Sequence, residues 1–412
     1  MRRRWARGAV RVLATALLAV GARGLWVATL APSPDSEGWD RRTVAGLRFL
    51  DGAPGTLEAR ADRMQTLFPE GRLFTLALTG LTWANLADRG AVPADEARRH
   101  VRRALALAEA EATRRAFGPA GGLPRGTFYE AWTTHLRLAA APGTAAERDS
   151  LAAGCRRLDR ALGGPALFPD SYPGAAWPAD AVVGAAALHR CAALDPGYAG
   201  AAQAWLDRVR QRVDPATGLV PHAAGSAGAR GSSTALMVPF LAQIDPDFAA
   251  GQYLRLRRQF GTRLAAAPVV REYPHGTGGP GDVDSGPVVW GVSAPASVVG
   301  IAAARAVGDA ETAEGLRATV EMLGLPLQVS GRRRYAGGQL PVGDAFLAWA
   351  SSVPLAEPPA AGSPSVPPLV WRGGWTGASV LVVALGLIGL VWSGRGGGSS
   401  RARASTSGQR SR

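Results

Sequence analysis

The chain has 412 residues, 47% of them apolar, with 46 basic residues, 32 acidic ones and a formal net charge of +14. That is too apolar for a disordered chain and long enough for one large core or two ordinary ones. Twelve arginines at the two ends (Arg2, Arg3, Arg4, Arg7, Arg11, Arg23, Arg372, Arg395, Arg401, Arg403, Arg410 and Arg412) account for the excess, leaving 34 basic against 32 acidic residues between them. With no basic stripe left in the body, a nucleic-acid partner is not expected.

The N-terminal segment, residues 1–32, has a basic head, an apolar run from Val12 to Ala22, then Arg23 and a second apolar piece. It reads either as a secretory signal ending at the small residues Val20, Gly21 and Ala22, or as an uncleaved anchor. In the anchor reading Arg23 costs about 2.5–3.5 kcal/mol on insertion scales. Either way, the body of the chain is exported.

From residue 33 to 352 the signals are helical and recurrent. The 3.6-residue periodicity and its start and stop residues predict helices near 40–50, 57–67, 70–87, 93–117, 127–140, 145–162 and 178–194. Further ones are expected at 198–213, 232–244, 246–260, 294–307, 311–323 and 342–351. Strand-like alternation is scarce, so the body is expected to be all-α. Helices such as 181–194 and 294–306 are apolar nearly all round and belong to an inner layer. A closed ring of alternating inner and outer helices buries that many economically; an open solenoid would show a fixed-period repeat, and none is present.

Three long loops, 163–177, 214–230 and 261–293, interrupt otherwise tight connections, and in such a ring they would gather at one mouth. The third holds five glycines and three prolines between Arg271 and Trp290, together with Glu272, Tyr273, His275, Asp282 and Asp284. Long unstructured connections in compact domains are commonly functional. Asp180 follows Trp177 and Pro178 at a helix start, where the dipole favours an ionised carboxylate; a purely helix-starting role is the plain alternative. Glu272 has Arg271 beside it as an ordinary ion-pair partner. The Asp282 and Asp284 spacing permits a metal, but the other calcium-loop residues are missing, so no metal or cofactor is expected. Tyr172, Trp177, Tyr273 and Trp290, with His222, Arg230 and His275, would supply rings and polar contacts suited to a sugar or another small hydroxylated ligand. Cys155 and Cys191 lie on consecutive predicted helices, and a disulfide between them is one of the options in an exported domain.

After a proline-rich linker, 353–370, comes the segment 371–393, in which Thr376 to Trp392 is apolar and uncharged, bracketed by Trp371, Trp375 and Trp392. It is expected to span a membrane, with the basic tail, 394–412, on the cytoplasmic side by the positive-inside rule.

Around Trp177 to Asp180, Asp214 to His222 and Gly281 to Pro287 the chain resembles the inner-helix approaches of (α/α)-toroid proteins of the six-hairpin glycosidase-like superfamily. A looser likeness is to the linalool dehydratase/isomerase group. The resemblance covers roughly residues 60–350 and implies a toroid of about six helical hairpins. It also implies acids at the ring's mouth, which by position are Asp180, Glu272 and Asp284. The expected function is binding and cleavage of a glycan by carboxylate acid/base catalysis. The alternatives are a hydro-lyase or isomerase acting on a small hydrophobic alcohol, and a non-catalytic envelope or assembly protein.

Overall fold

The computed structural model describes residues 2–226, 228–264, 266–283, 285–357 and 368–394. It is mostly helical. In chain order the helices begin with α1 (Arg2–Leu30), α2 (Glu37–Asp51), α3 (Thr56–Gln65), α4 (Gly71–Asp88) and α5 (Ala94–Ala108). Then come the one-turn α6 (Glu111–Arg114), α7 (Gly126–Ala139), α8 (Ala145–Gly163), α9 (Pro178–Arg190) and α10 (Gly197–Arg210). The last are α11 (Gly231–Ile244), α12 (Pro246–Phe260), α13 (Ala294–Ala306), α14 (Ala310–Leu323), α15 (Pro341–Ser352) and α16 (Pro368–Gly394).

The chain divides into two compact units. One comprises Met1–Ala31, Ala265–Ala267 and Pro368–Arg412, and the other comprises Pro32–Leu264 and Pro268–Pro367. In the first, α1 and α16 pack on each other, and each is long and apolar enough to cross a membrane.

Within the second unit the inner helices follow one another as packing partners. α4 packs on α7, α7 on α9, α9 on α11, α11 on α13, α13 on α15, and α15 on α4 again. Each carries amphipathic neighbours: α5 lies on α4 and α7, α8 on α7 and α9, α12 on α11, α14 on α13, and α2 on α15 and α4. The inner helices are buried on nearly every side, as their uniform apolarity requires. Their rings fill the space between them. Phe74 of α4 meets Phe128 and Trp132 of α7 at 4.8 and 5.4 Å and Phe346 of α15 at 5.1 Å, while Phe240 of α11 meets Trp132 at 5.4 Å and Trp349 at 5.6 Å. Each such pair is worth about 0.5–1.5 kcal/mol beyond the area it buries.

Local chemistry sets the helix ends. Thr144 and Glu147 form a reciprocal capping box on α8. Asp245 caps α12 through the Phe248 amide, 2.8 Å away, with Pro246 in its first turn. The expected helix 93–117 is two pieces, because Ala110 is extended and starts α6 afresh. The all-α expectation also needs amending. Among the described residues there are three two-stranded hairpins: β1 (Gly261–Leu264) with β2 (Ala267–Val270), β3 (Val288–Val289) with β4 (Val292–Ser293), and β5 (Leu327–Val329) with β6 (Arg332–Arg334). Two of them lie in the long loop 261–293, which is therefore folded rather than structureless.

Cys155 of α8 and Cys191, just past α9, form a disulfide within a small buried cluster with Leu151.

The segments that enter and leave this unit meet at one residue. Arg305, fully buried at the end of α13, donates to the Asp35 carboxylate and to the Val353 carbonyl, and its own carbonyl accepts from the Ala356 amide at 2.9 Å. Asp35 is also held by Arg89 at 2.7 Å. Asp35 is partly exposed and keeps Arg89, so the loss on removing Arg305 falls mainly on the Val353 carbonyl and the buried packing of the side chain, and Arg305→Ala is expected to cost roughly 1–3 kcal/mol. Chemical denaturation of the purified protein would show it as a lowered midpoint.

Candidate functional site

The site grows from the start of α11. Arg230, extended at φ −125°, ψ 151°, is its N-cap, and Gly231 sits so close to the Arg271 carbonyl that a Cβ would have no room. The Gly231 amide donates to the Glu272 carbonyl at 2.9 Å, which sets Ser232 against the Glu272 side chain. Ser232 Oγ donates to Glu272 Oε1 at 2.7 Å, and its amide lies 3.4 Å from Oε2. Glu272 is fully buried. Burial pushes its carboxyl up to about 7, and the Ser232 hydrogen bonds pull the other way without cancelling it.

Charged and aromatic groups surround this pair. Arg230 forms an ion pair with Asp282 and lies over the Tyr273 ring at 5.2 Å. Tyr273 in turn donates to the Pro280 carbonyl at 2.8 Å. Asp282 and Ser285 bond reciprocally, each backbone amide donating to the other's side chain at 2.9 Å. Burial works to raise the Asp282 carboxyl, but the Ser285 bonds and Arg230 outweigh it and hold it below the ordinary value. His222 Nδ1 is hydrogen-bonded to Ser233 Oγ, and its ring lies 5.1 Å from that of Trp177. Burial, helped by the Arg230 charge, lowers His222 to about 4, so the ring is neutral at physiological pH.

The three long loops therefore do meet. The Ala224 amide donates to the Ala176 carbonyl at 3.0 Å, joining the first to the second, and Arg230, Gly231 and Ser232 join the second to the third. Of the residues expected at a mouth, Trp177, His222, Arg230, Glu272, Tyr273 and Asp282 belong to this cluster. Trp290 stands at its rim. It occupies the β3–β4 turn with Gly291, both at positive φ (52° and 79°), and is 84% exposed. The Glu272 amide donates to the Gly291 carbonyl at 3.0 Å, so the hairpin lies directly along the Glu272 segment. A two-residue hairpin turn of this kind takes positive φ at both central positions, so the turn itself accounts for the Trp290 backbone.

Asp180 is buried in the first turn of α9, three residues after Trp177, and α9 packs on α11. Asp284 lies outside the described residues.

Other expectations change. Tyr172 packs its ring toward Phe128 at 5.8 Å and Phe117 at 6.3 Å, on the core side of its loop. His275 is bonded through Nε2 to the Gly261 carbonyl at 2.8 Å and ties the loop to the end of α12. Arg271 is not the ion-pair partner of Glu272: its guanidinium donates to the Tyr273 and Thr277 carbonyls at 3.2 Å and to that of Trp290 at 3.4 Å.

Three residues escaped the sequence reading. Ser232 and Ser233 were legible only as a helix start. Asp344 sits in the first turn of α15, accepts from the Tyr335 amide at 2.9 Å, and is pushed up to about 7 by burial. Two surface clefts, one beside Glu109 and Arg137 and one beside Phe168 and Arg212, contain neither Glu272 nor Asp180.

Compared with known proteins, the chain matches no family model, and no curated protein matches it in sequence.

Proposed function

We propose that the body is an α/α toroid, displayed outside the cytoplasm on its apolar helices, that binds a glycan at the loop cluster and cleaves it with Glu272 as proton donor. The observation that carries this reading is the Glu272 carboxyl, buried beside Ser232 and held up to about 7, hence still protonated in part at neutral pH. Support for the toroid comes from the succession of inner-helix packing that returns from α15 to α4. Support for export comes from the disulfide, since such bonds persist in oxidising compartments.

In this reading Trp177, Tyr273 and the exposed Trp290 offer rings to flat sugar faces, while Arg230 and His222 offer polar contacts. Asp180, at the start of α9, is the candidate second carboxylate. A screen of envelope and plant polysaccharides for newly released reducing ends tests the proposal. Activity should be found in the parent and lost in both Glu272→Gln and Asp180→Asn; undiminished turnover in both variants would show the assignment to be wrong.

The full burial of Glu272 favours one other reading, proton transfer to a small hydrophobic alcohol by a hydro-lyase or isomerase. Chemistry of that kind could not use a free thiol, because both cysteines are bonded to each other. Alkene release from such alcohols, with no glycan cleaved, would select it.

A further inference from the structure

The packing between α1 and α16 bears on how the N-terminal segment is processed, independently of what the body does. The helices run antiparallel and in register. A Cβ on Gly386 would meet the Ala14 carbonyl oxygen at 3.0 Å, and one on Gly21 would meet the Ser379 carbonyl oxygen at 2.9 Å. One step further along, Arg372 donates to the Ala28 carbonyl at 2.9 Å and to that of Ala31 at 3.3 Å. As α1 advances by sevens from 14 to 21 to 28, its partner recedes by sevens from 386 to 379 to 372. A seven-residue repeat keeps one seam facing one partner. Ala14, Ala28 and Ser379 are all buried in it. Small residues at such a seam let two backbones approach closely, the main source of helix association in lipid. The seam is occupied along three successive repeats, and at its end a guanidinium binds the last carbonyls of α1, where a helix favours positive charge.

Charge supplies a second, independent argument. Arg2, Arg3, Arg4, Arg7 and Arg11 begin α1, and Arg395, Arg401, Arg403, Arg410 and Arg412 come after α16. In an antiparallel pair both groups fall at the same end, so the positive-inside rule gives one answer for both helices. The objection from Arg23 also weakens. Arg23 is seven residues from the end of α1, about 10 Å along the axis, and its guanidinium lies over Trp26 at 4.8 Å. A long side chain at that depth reaches the interface while its stem stays in lipid.

We propose that α1 is not removed on export but remains as a transmembrane helix paired with α16. The two form a hairpin with both chain ends in the cytoplasm and the body inserted between them.

Two measurements on the full chain, extracted from membranes, decide this. N-terminal sequencing or intact mass should place the first residue at Met1 or Arg2; a start near residues 22–25 overturns the proposal. For the pairing, Ala14→Cys is combined with Gly389→Cys, whose Cβ would lie 3.1 Å from the Ala14 side chain, and a protease site is placed within residues 358–367. After oxidation and cleavage, the body fragment and the C-terminal fragment should stay joined on a non-reducing gel and separate on reduction. The control pair Leu13→Cys with Leu385→Cys, both on exposed faces, should separate in either condition. Separation of the test pair before reduction, or cross-links joining two copies of the chain, would overturn the pairing. The native disulfide lies wholly in the body fragment and does not interfere.

Discussion

Glu272→Gln is expected to lower turnover on the proposed ligand by about 10²–10⁴-fold, the usual contribution of a positioned general acid, while making the body more stable at alkaline pH. The two effects share one cause. Burial raises the carboxyl from 4.5 to about 7, so the folded protein holds a proton that the unfolded chain has already lost. Stability associated with this group is fully present below about pH 4.5 and is lost as pH rises through about 7. Gln keeps the neutral form at every pH. The stability difference between variant and parent should grow from near zero at pH 4 to about 3 kcal/mol at pH 8, from roughly 2.5 pKa units at 1.36 kcal/mol each. Urea melts at the two pH values check this. A variant that is inactive yet no more stable at pH 8 would mean that Glu272 is not held protonated by its surroundings. Asp344, raised for the same reason from 3.8 to about 7, should add a slope of the same sign over a window that begins at that lower pH.

Removing the disulfide is expected to have the largest purely structural effect. The bond closes a loop spanning 36 positions, and chain entropy then gives about 4 kcal/mol at 25 °C. A Cys155→Ala, Cys191→Ala double variant should lose roughly 2–4 kcal/mol in guanidinium unfolding. Reductant alone should act slowly on the folded parent, because both sulfurs are buried. Equal midpoints for double variant and parent would show that the loop is already constrained in the unfolded chain.

Helices were legible in the sequence because their signals are local. Pro178, Asp245 with Pro246, and the repeating apolar faces each act within one or two turns. The inner layer was legible for the same reason: a helix apolar all round has nowhere else to go. What could not be read was the partnership of Glu272. Its neighbour Arg271 offered an ion pair, but adjacent residues in an extended segment point to opposite sides. Arg271 accordingly turns to the carbonyls of its own loop, and Glu272 turns to Ser232, forty residues earlier. Burial of this kind comes from two distant segments packing together, and no spacing rule encodes it. The hairpins were missed because strands of two to four residues are too short to show a period. Of the acids expected at the mouth, Asp284 lies outside the described residues, and the described geometry rests on Glu272.

The Arg305 junction has a consequence for how the chain can be rebuilt. Asp35 and Val353, where the body begins and ends, are held by the same guanidinium, so the body closes on itself and does not depend on its flanks to bring its ends together. Domains with adjacent ends tolerate permutation and transplantation. Apart from the short segment Ala265–Ala267, which groups with the apolar helices, residues 33–356 are expected to tolerate being spliced onto another stalk or given new termini in one of their surface turns.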